Sequence, residues 1–295
     1  MNRVRIAAGT ALAALALGGC GDSGDDGRTT VVATTGILAD VTAEVASPDA
    51  EVAQLIPDGA DPHSFALSAE DRLELEQADL AAANGAGLEA GVPVDEAGTT
   101  VWELADSDDV LAGGDFEGGP EDPHVWMDPT RVAGALPSLA DALADADPAN
   151  AEAYRQRADD YSEVLLALDR ELQRALRAVP PPDRELVTSH DALGYFADRY
   201  GFDVVATAFP STGAEAEASA ERLADVESAV RETGVPAIFA QEGDDPEVMS
   251  LVANDTGVRL EYGLLVESPG SAGSYEEMLR SDANLIAESL GGDGG

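Results

Sequence analysis

Residues 147–182 read DPANAEAYRQRADDYSEVLLALDRELQRALRAVPPP. Tyr154, Tyr161, Leu165, Leu168, Leu172 and Leu176 recur at spacings of three, four and seven, which places them on one face of an α-helix. No glycine interrupts the pattern, and Pro180-Pro181-Pro182 cannot continue it. Asp147 is the expected N-cap and Pro148 the expected first helical residue. A helix of about 30 residues spans ~45 Å, enough to cross a whole molecule and join two lobes. Periodicity equally allows a helix packed inside one domain.

Strand and helix signals alternate on both sides of this stretch. Upstream, residues 29–34 carry a β-branched run around Val31 and Val32 and read as a buried strand. Residues 37–46 have helical spacing through Ile37, Leu38, Val41 and Val45. Residues 51–55 and 80–83 are short strands, and Ser68 can cap an intervening helix with Asp71 three residues on. Residues 103–122 are acidic and glycine-rich, a loop or a strand within one. Residues 129–143 are helical, with Pro137 expected to kink or break them. Downstream, strands are expected at 186–188, from Val204, at 237–240 and at 260–266. Helices are expected at 192–200, 220–233, 246–256 and 275–290.

This order predicts an α/β fold of two lobes with mostly parallel sheets flanked by helices. One long rigid helix joins them. The N-terminal lobe takes 29–145, the connecting helix 146–179 and the C-terminal lobe 180–295.

The N-terminus is an address rather than part of the fold. Arg3 and Arg5 precede an apolar run over 6–17, too short to span a bilayer as a helix. It ends in Leu17-Gly18-Gly19-Cys20, which resembles a bacterial lipobox with residues 1–20 as the signal. Cys20 is the chain's only cysteine, so no disulfide forms within one chain, and it is the expected lipidation site. Residues 21–28 read as a flexible tether. The expected location is extracytoplasmic, on the outer face of the cell membrane. Sixteen basic residues face 58 acidic ones, which excludes nucleic acid as a partner, since phosphate backbones need clustered Lys and Arg.

Only three histidines occur in 295 residues, and each sits in a loop-like phrase: Asp61-Pro62-His63-Ser64-Phe65, Asp122-Pro123-His124-Val125-Trp126-Met127-Asp128-Pro129 and Ser189-His190-Asp191. His63 follows an expected strand, where open α/β sheets bind their ligands. Imidazole suits zinc and related transition metals, so a metal site assembled from distant segments is expected. Trp126, Phe65, Phe196 and Tyr195 flank these residues and are expected to pack as a dry shell around it.

These phrases, together with Asp147-Pro148-Ala149-Asn150 and the Tyr154/Tyr161 helix, resemble the cluster A-I zinc/manganese substrate-binding lipoproteins of ABC transporters. The likeness covers about residues 29–290. It implies a metal site between the lobes, with His63, His124 and His190 as nitrogen ligands. The family's fourth ligand is usually an Asp before a Gly-rich turn and a Tyr-led helix. Glu267 holds that place, before Gly270, Gly273 and Tyr275. Manganese-type members commonly have a carboxylate where His190 stands, which favours zinc here. The family implies capture of Zn2+ as transported cargo, with Mn2+ as the alternative, and delivery to an ABC permease and its ATPase by a monomer. No catalytic cofactor is implied.

Asp128, Asp191 and Glu242 are candidates to support the ligands from behind, and Asp61 reads as a turn residue. A manganese- or iron-binding member is the first alternative. A zinc-dependent hydrolase is the second, because an open fourth position would leave room for a water. No His-Glu-x-x-His motif supports it. A protein binding a non-metal solute would leave the three histidine phrases unexplained.

Overall fold

The computed structural model describes residues 27–105, 110–111, 121–209 and 220–291. The expected lipidation site Cys20 and most of the tether lie outside them, as do residues 112–120 of the acidic stretch. Among the described residues no helix is long and apolar enough to cross a membrane.

Two four-stranded parallel sheets make the frame. The first contains β1 (Thr29–Ala33), β2 (Ala50–Gln54), β3 (Leu80–Ala83) and β4 (Thr100–Glu103), in the order β2-β1-β3-β4. The second contains β5 (Glu185–Thr188), β6 (Asp203–Thr207), β7 (Ala237–Gln241) and β8 (Arg259–Leu264), in the order β6-β5-β7-β8. The two orders are the same pattern repeated. β1 is paired on both sides, with Val31 opposite Val52 and Leu80. Every residue of β3 is buried. Covered faces are the usual condition of parallel sheets, because the crossover helices lie on them. β4 is a strand that the acidic composition after it hides.

The first lobe's helices are α1 (Gly36–Ala46), α2 (Ala69–Gln77) and α3 (Pro129–Ala146). Ser68 and Asp71 form the reciprocal cap expected of them at the start of α2. The second lobe's are α5 (Gly194–Tyr200), α6 (Ala220–Thr233), α7 (Pro246–Thr256) and α8 (Tyr275–Leu290). Gly201 and Gly257 close α5 and α7 in the left-handed region, at φ 71° and 77°, a backbone that side chains resist.

The connecting helix α4 runs Ala151–Ala175, followed by a 3-10 turn over Leu176–Ala178. At 25 residues it spans ~37 Å, shorter than its apolar pattern suggests. Asp147 is not its cap. It lies in the turn after α3, where its carboxylate accepts from Ala149 N, Asn150 Nδ2 and Tyr154 Oη. These bonds hold its carboxyl below the usual range, those from Asn150 and Tyr154 most. The acidic residue before the proline therefore shapes the α3–α4 corner, and Asn150 takes the cap position.

Pro137 neither breaks nor ends α3, which is helical through it. A proline leaves the carbonyl four residues back without its helical N–H. That carbonyl is Ala133 O, and it accepts from Ser162 Oγ on α4 at 3.1 Å. A neighbouring helix thus satisfies the group that proline orphans.

α4 is fastened at both ends. Near its start, Arg157 donates to Val45 O at the end of α1 and to Asp49. Near its end, Asp169 accepts two bonds from Arg199 of α5 at 2.8 and 2.7 Å. Tyr154, Tyr161, Leu165, Leu168 and Leu172 are buried along one stripe, in a core continuous across both lobes.

Candidate metal centre

All three histidines and Glu267 follow the carboxyl ends of strands. His63 is nine residues past β2, His124 leads a 3-10 turn after β4, His190 is two past β5 and Glu267 is three past β8. Their side chains meet in the crevice between the sheets. One donor atom from each of the four lies within 4.8 Å of the other three. His190 Nε2 is 3.3 Å from His124 Nε2 and 3.3 Å from Glu267 Oε1. His63 Nε2 is 3.7 Å from the same carboxylate oxygen. It is buried and has no hydrogen-bond partner among the described residues.

The surroundings set the ionisation. Burial lowers the imidazole of His63 to about 4, helped by the nearby His124. Burial likewise takes His190 well below its ordinary value. Both rings are therefore neutral at physiological pH, with lone pairs available. Burial raises the Glu267 carboxyl to about 7, and charge at His124 offsets only part of this. A divalent cation among these atoms relieves both effects, because it binds neutral imidazole and stabilises a carboxylate anion.

The His63 loop is shaped by Asp61, whose oxygens accept from His63 N and Ser64 Oγ. This is the turn role expected of it. The His124 loop is tied to the end of β3, where Asn84 Nδ2 donates to Pro123 O at 2.8 Å. Glu89 holds Asn84 in turn, accepting from its N–H and from Thr34 Oγ1. Trp126 does more than pack. Its ring lies edge-on to His124 at 5.2 Å, and its Nε1 donates to Val266 O, the residue before Glu267, at 2.7 Å. Tyr275 Oη closes the set on Trp126 O.

The candidates for support from behind divide differently from expectation. Asp128 caps α3, accepting from Thr130 N and Oγ1, and its outer oxygen reaches Arg131 at 3.7 Å. These contacts give it a capping role. Glu242 accepts from Ser271 N and Oγ, so it braces the turn after Glu267. Asp191 is buried next to His190, and burial followed by the Asp122 charge raises it to about 6. The carboxylate that holds a histidine is Asp122, which sequence reasoning left out. Its Oδ1 accepts from His124 N and from Nδ1, both at 2.9 Å. With Nδ1 as donor, Nε2 presents its lone pair to the cluster. The Asp two residues before His124 is the signal, matching Asp61 before His63.

A cleft of about 470 Å³ lined by Asp58, Asp61, Glu242, Asp244 and Glu267 opens beside the carboxylate side of the cluster. Negative charge around a concave opening attracts cations.

Comparisons with known proteins bear on the family and the fold. Residues 31–289 match the family described as zinc-uptake complex component A, periplasmic. The metal ABC transporter substrate-binding lipoprotein FimA of Streptococcus parasanguinis is 30% identical over 283 residues, 91% of each chain. The manganese ABC transporter substrate-binding lipoprotein PsaA of Streptococcus anginosus is 30% identical over 275 residues, 88% of each chain. Among solved structures, the periplasmic zinc-binding protein TroA of Treponema pallidum superposes with a TM-score of 0.82 at 26% identity, covering 89% of this chain and 99% of that one. The chain belongs to the zinc-uptake complex component A family, and it is a substrate-binding protein of a metal ABC transporter rather than an enzyme.

Proposed function

We propose that this protein captures Zn2+ between its lobes and hands it to an ABC permease, with His63, His124, His190 and Glu267 as the four ligands. The observation that carries this is the convergence of three imidazole nitrogens and one carboxylate oxygen to within 4.8 Å of one another. A tetrahedral zinc site with bonds of 2.0–2.1 Å has ligand–ligand edges of about 3.3 Å. Two of the separations here are 3.3 Å and a third is 3.7 Å. Three nitrogens and one carboxylate make a softer set than two of each, which supports zinc over manganese.

Relatives are named for both metals: PsaA for manganese and TroA for zinc. A manganese-importing role is therefore the second reading, favoured by the carboxylate ligand. Cys20 supports lipid anchoring on the outer face of the cell membrane, where a monomer would meet the permease and its cytoplasmic ATPase. Elemental analysis of protein purified without added metal, with direct competition between zinc and manganese, tests the assignment. Zinc retained against excess manganese supports it, and displacement by manganese at comparable concentration rejects it.

A further inference from the structure

We propose that Asp122 is a positioning residue through which contact with the second lobe sets how firmly His124 holds the cargo. This rests on the metal-binding reading above. Asp122 is buried, at 6% exposure, and belongs to the first lobe's loop. One carboxylate oxygen takes both the backbone N–H and the Nδ1–H of His124. The other oxygen faces the second lobe at Gly194, the first residue of α5. A Cβ at Gly194 would lie 2.2 Å from Asp122 Oδ2. The Gly194 backbone is not in the left-handed region, so the carboxylate itself is what excludes a side chain there.

The next residue completes the clasp. Tyr195 Oη donates to Asp122 O at 3.0 Å and accepts from Leu111 N at 2.9 Å, across a backbone bond from Asp122 N to Leu111 O. Gly194 and Tyr195 follow His190 by four and five residues on one continuous segment. A displacement that moves this segment as one body carries His190 out of the cluster and Gly194 and Tyr195 off Asp122 together. Water then reaches the carboxylate and competes for it. The hold on Nδ1 loosens, the ring is freed and the basicity of Nε2 falls. Loss of a second-lobe ligand and weakening of a first-lobe ligand thus occur in one movement, so release is steeper than parting from His190 alone.

The test uses the full chain with zinc, a chromogenic chelator to read dissociation, and cobalt as a spectroscopic substitute. D122A should weaken zinc binding about 10–100-fold, the usual range for a lost partner behind a metal-bound histidine. D122N, which keeps an accepting oxygen, should recover part of it. G194A and Y195F alter the second lobe and no ligand. They should speed zinc dissociation at least ~5-fold and shift the cobalt ligand-field bands. Gly194→Ala must push the Asp122 carboxylate aside and should lower the unfolding temperature of the metal-free protein. Tyr195→Phe, which adds no atom, is therefore the decisive variant. If G194A and Y195F bind and release zinc as the parent does while D122A weakens it, coupling between the lobes is overturned and the metal site stands. H124A is the control: if it leaves zinc binding intact, the ligand assignment falls and this proposal with it.

Discussion

His124 and His190 face each other nitrogen to nitrogen, with 3.3 Å between their Nε2 atoms. Asp122 Oδ1 accepts from His124 Nδ1, so in the neutral ring the facing Nε2 carries a lone pair. Burial keeps the opposing ring of His190 neutral. Two lone pairs at this distance repel unless a proton or a cation lies between them. Structural zinc sites are worth about 10–16 kcal/mol, so removing one of four ligands should cost about 3 kcal/mol, or ~100-fold in affinity. Zinc titration of His124→Ala should show that loss, and Glu242→Ala, which loosens only the turn at Ser271, should lose ~10-fold or less. Equal losses would mean that the donors are misassigned.

Proton release should track Glu267 rather than the histidines. At pH 6 its carboxyl, raised to about 7, must give up about one proton for each zinc bound. At pH 8 almost none should appear. His63, lowered to about 4, adds a second proton only in strong acid. Titration calorimetry in buffers of different ionisation enthalpy measures the count, and Glu267→Gln should abolish it at pH 6. For the metal-free fold the two groups act in opposite directions. Glu267 supports stability below its unfolded value of 4.5, and that support is lost as pH rises through about 7. His63 supports it above 6.5, and that support is lost as pH falls through about 4.

Metal preference should move with His190. Replacing it with Glu gives two nitrogens and two carboxylates, a harder set. The zinc-to-manganese affinity ratio should fall by about tenfold or more, measured by competition on the same preparation. An unchanged ratio would place selectivity elsewhere.

Cargo binding should change the overall shape little. α4 is continuous over 25 residues and fastened to both lobes, and bending it breaks backbone hydrogen bonds. Small-angle scattering should give a radius of gyration of about 19 Å for a compact chain of this length, changing by less than ~1 Å with zinc. A change of several ångströms would require a hinge within α4.

The Ser162–Ala133 bond should register as coupling between two helices. Ser162→Ala should cost about 1 kcal/mol, because the Ala133 carbonyl loses its donor in a half-buried place. In a Pro137→Ala background the helix supplies its own N–H, and the same change should cost much less. Denaturant unfolding of the four variants closes the cycle. Additive losses would show that Ser162 contributes by packing alone.

Much of this is legible along the chain, because it is local. The apolar stripe of α4, the Ser68–Asp71 cap and the alternation of strand and helix are short-range patterns. The histidines stand out through their scarcity, and the resemblance brings Glu267 with them. What escapes depends on partners far away in sequence. Pro137 signals a break because nothing nearby announces Ser162, 25 residues on. Asp147 has the makings of a cap, yet the Tyr154 hydroxyl and the Asn150 amide claim it. Asp128, Asp191 and Glu242 look alike as carboxylates beside the site, and only the fold shows that Asp122 is the one on an imidazole. β4 is short and is followed by acidic residues that disguise it.

The fastening of α4 at Arg157 and at Asp169 makes the residue count between them a gauge length. Inserting or deleting one residue there would twist one half of the molecule against the other by about 100° and slide it ~1.5 Å. His190 and Glu267 would swing away from His63 and His124 even with every side chain still in place. Along this segment only whole helical turns preserve the facing of the two halves.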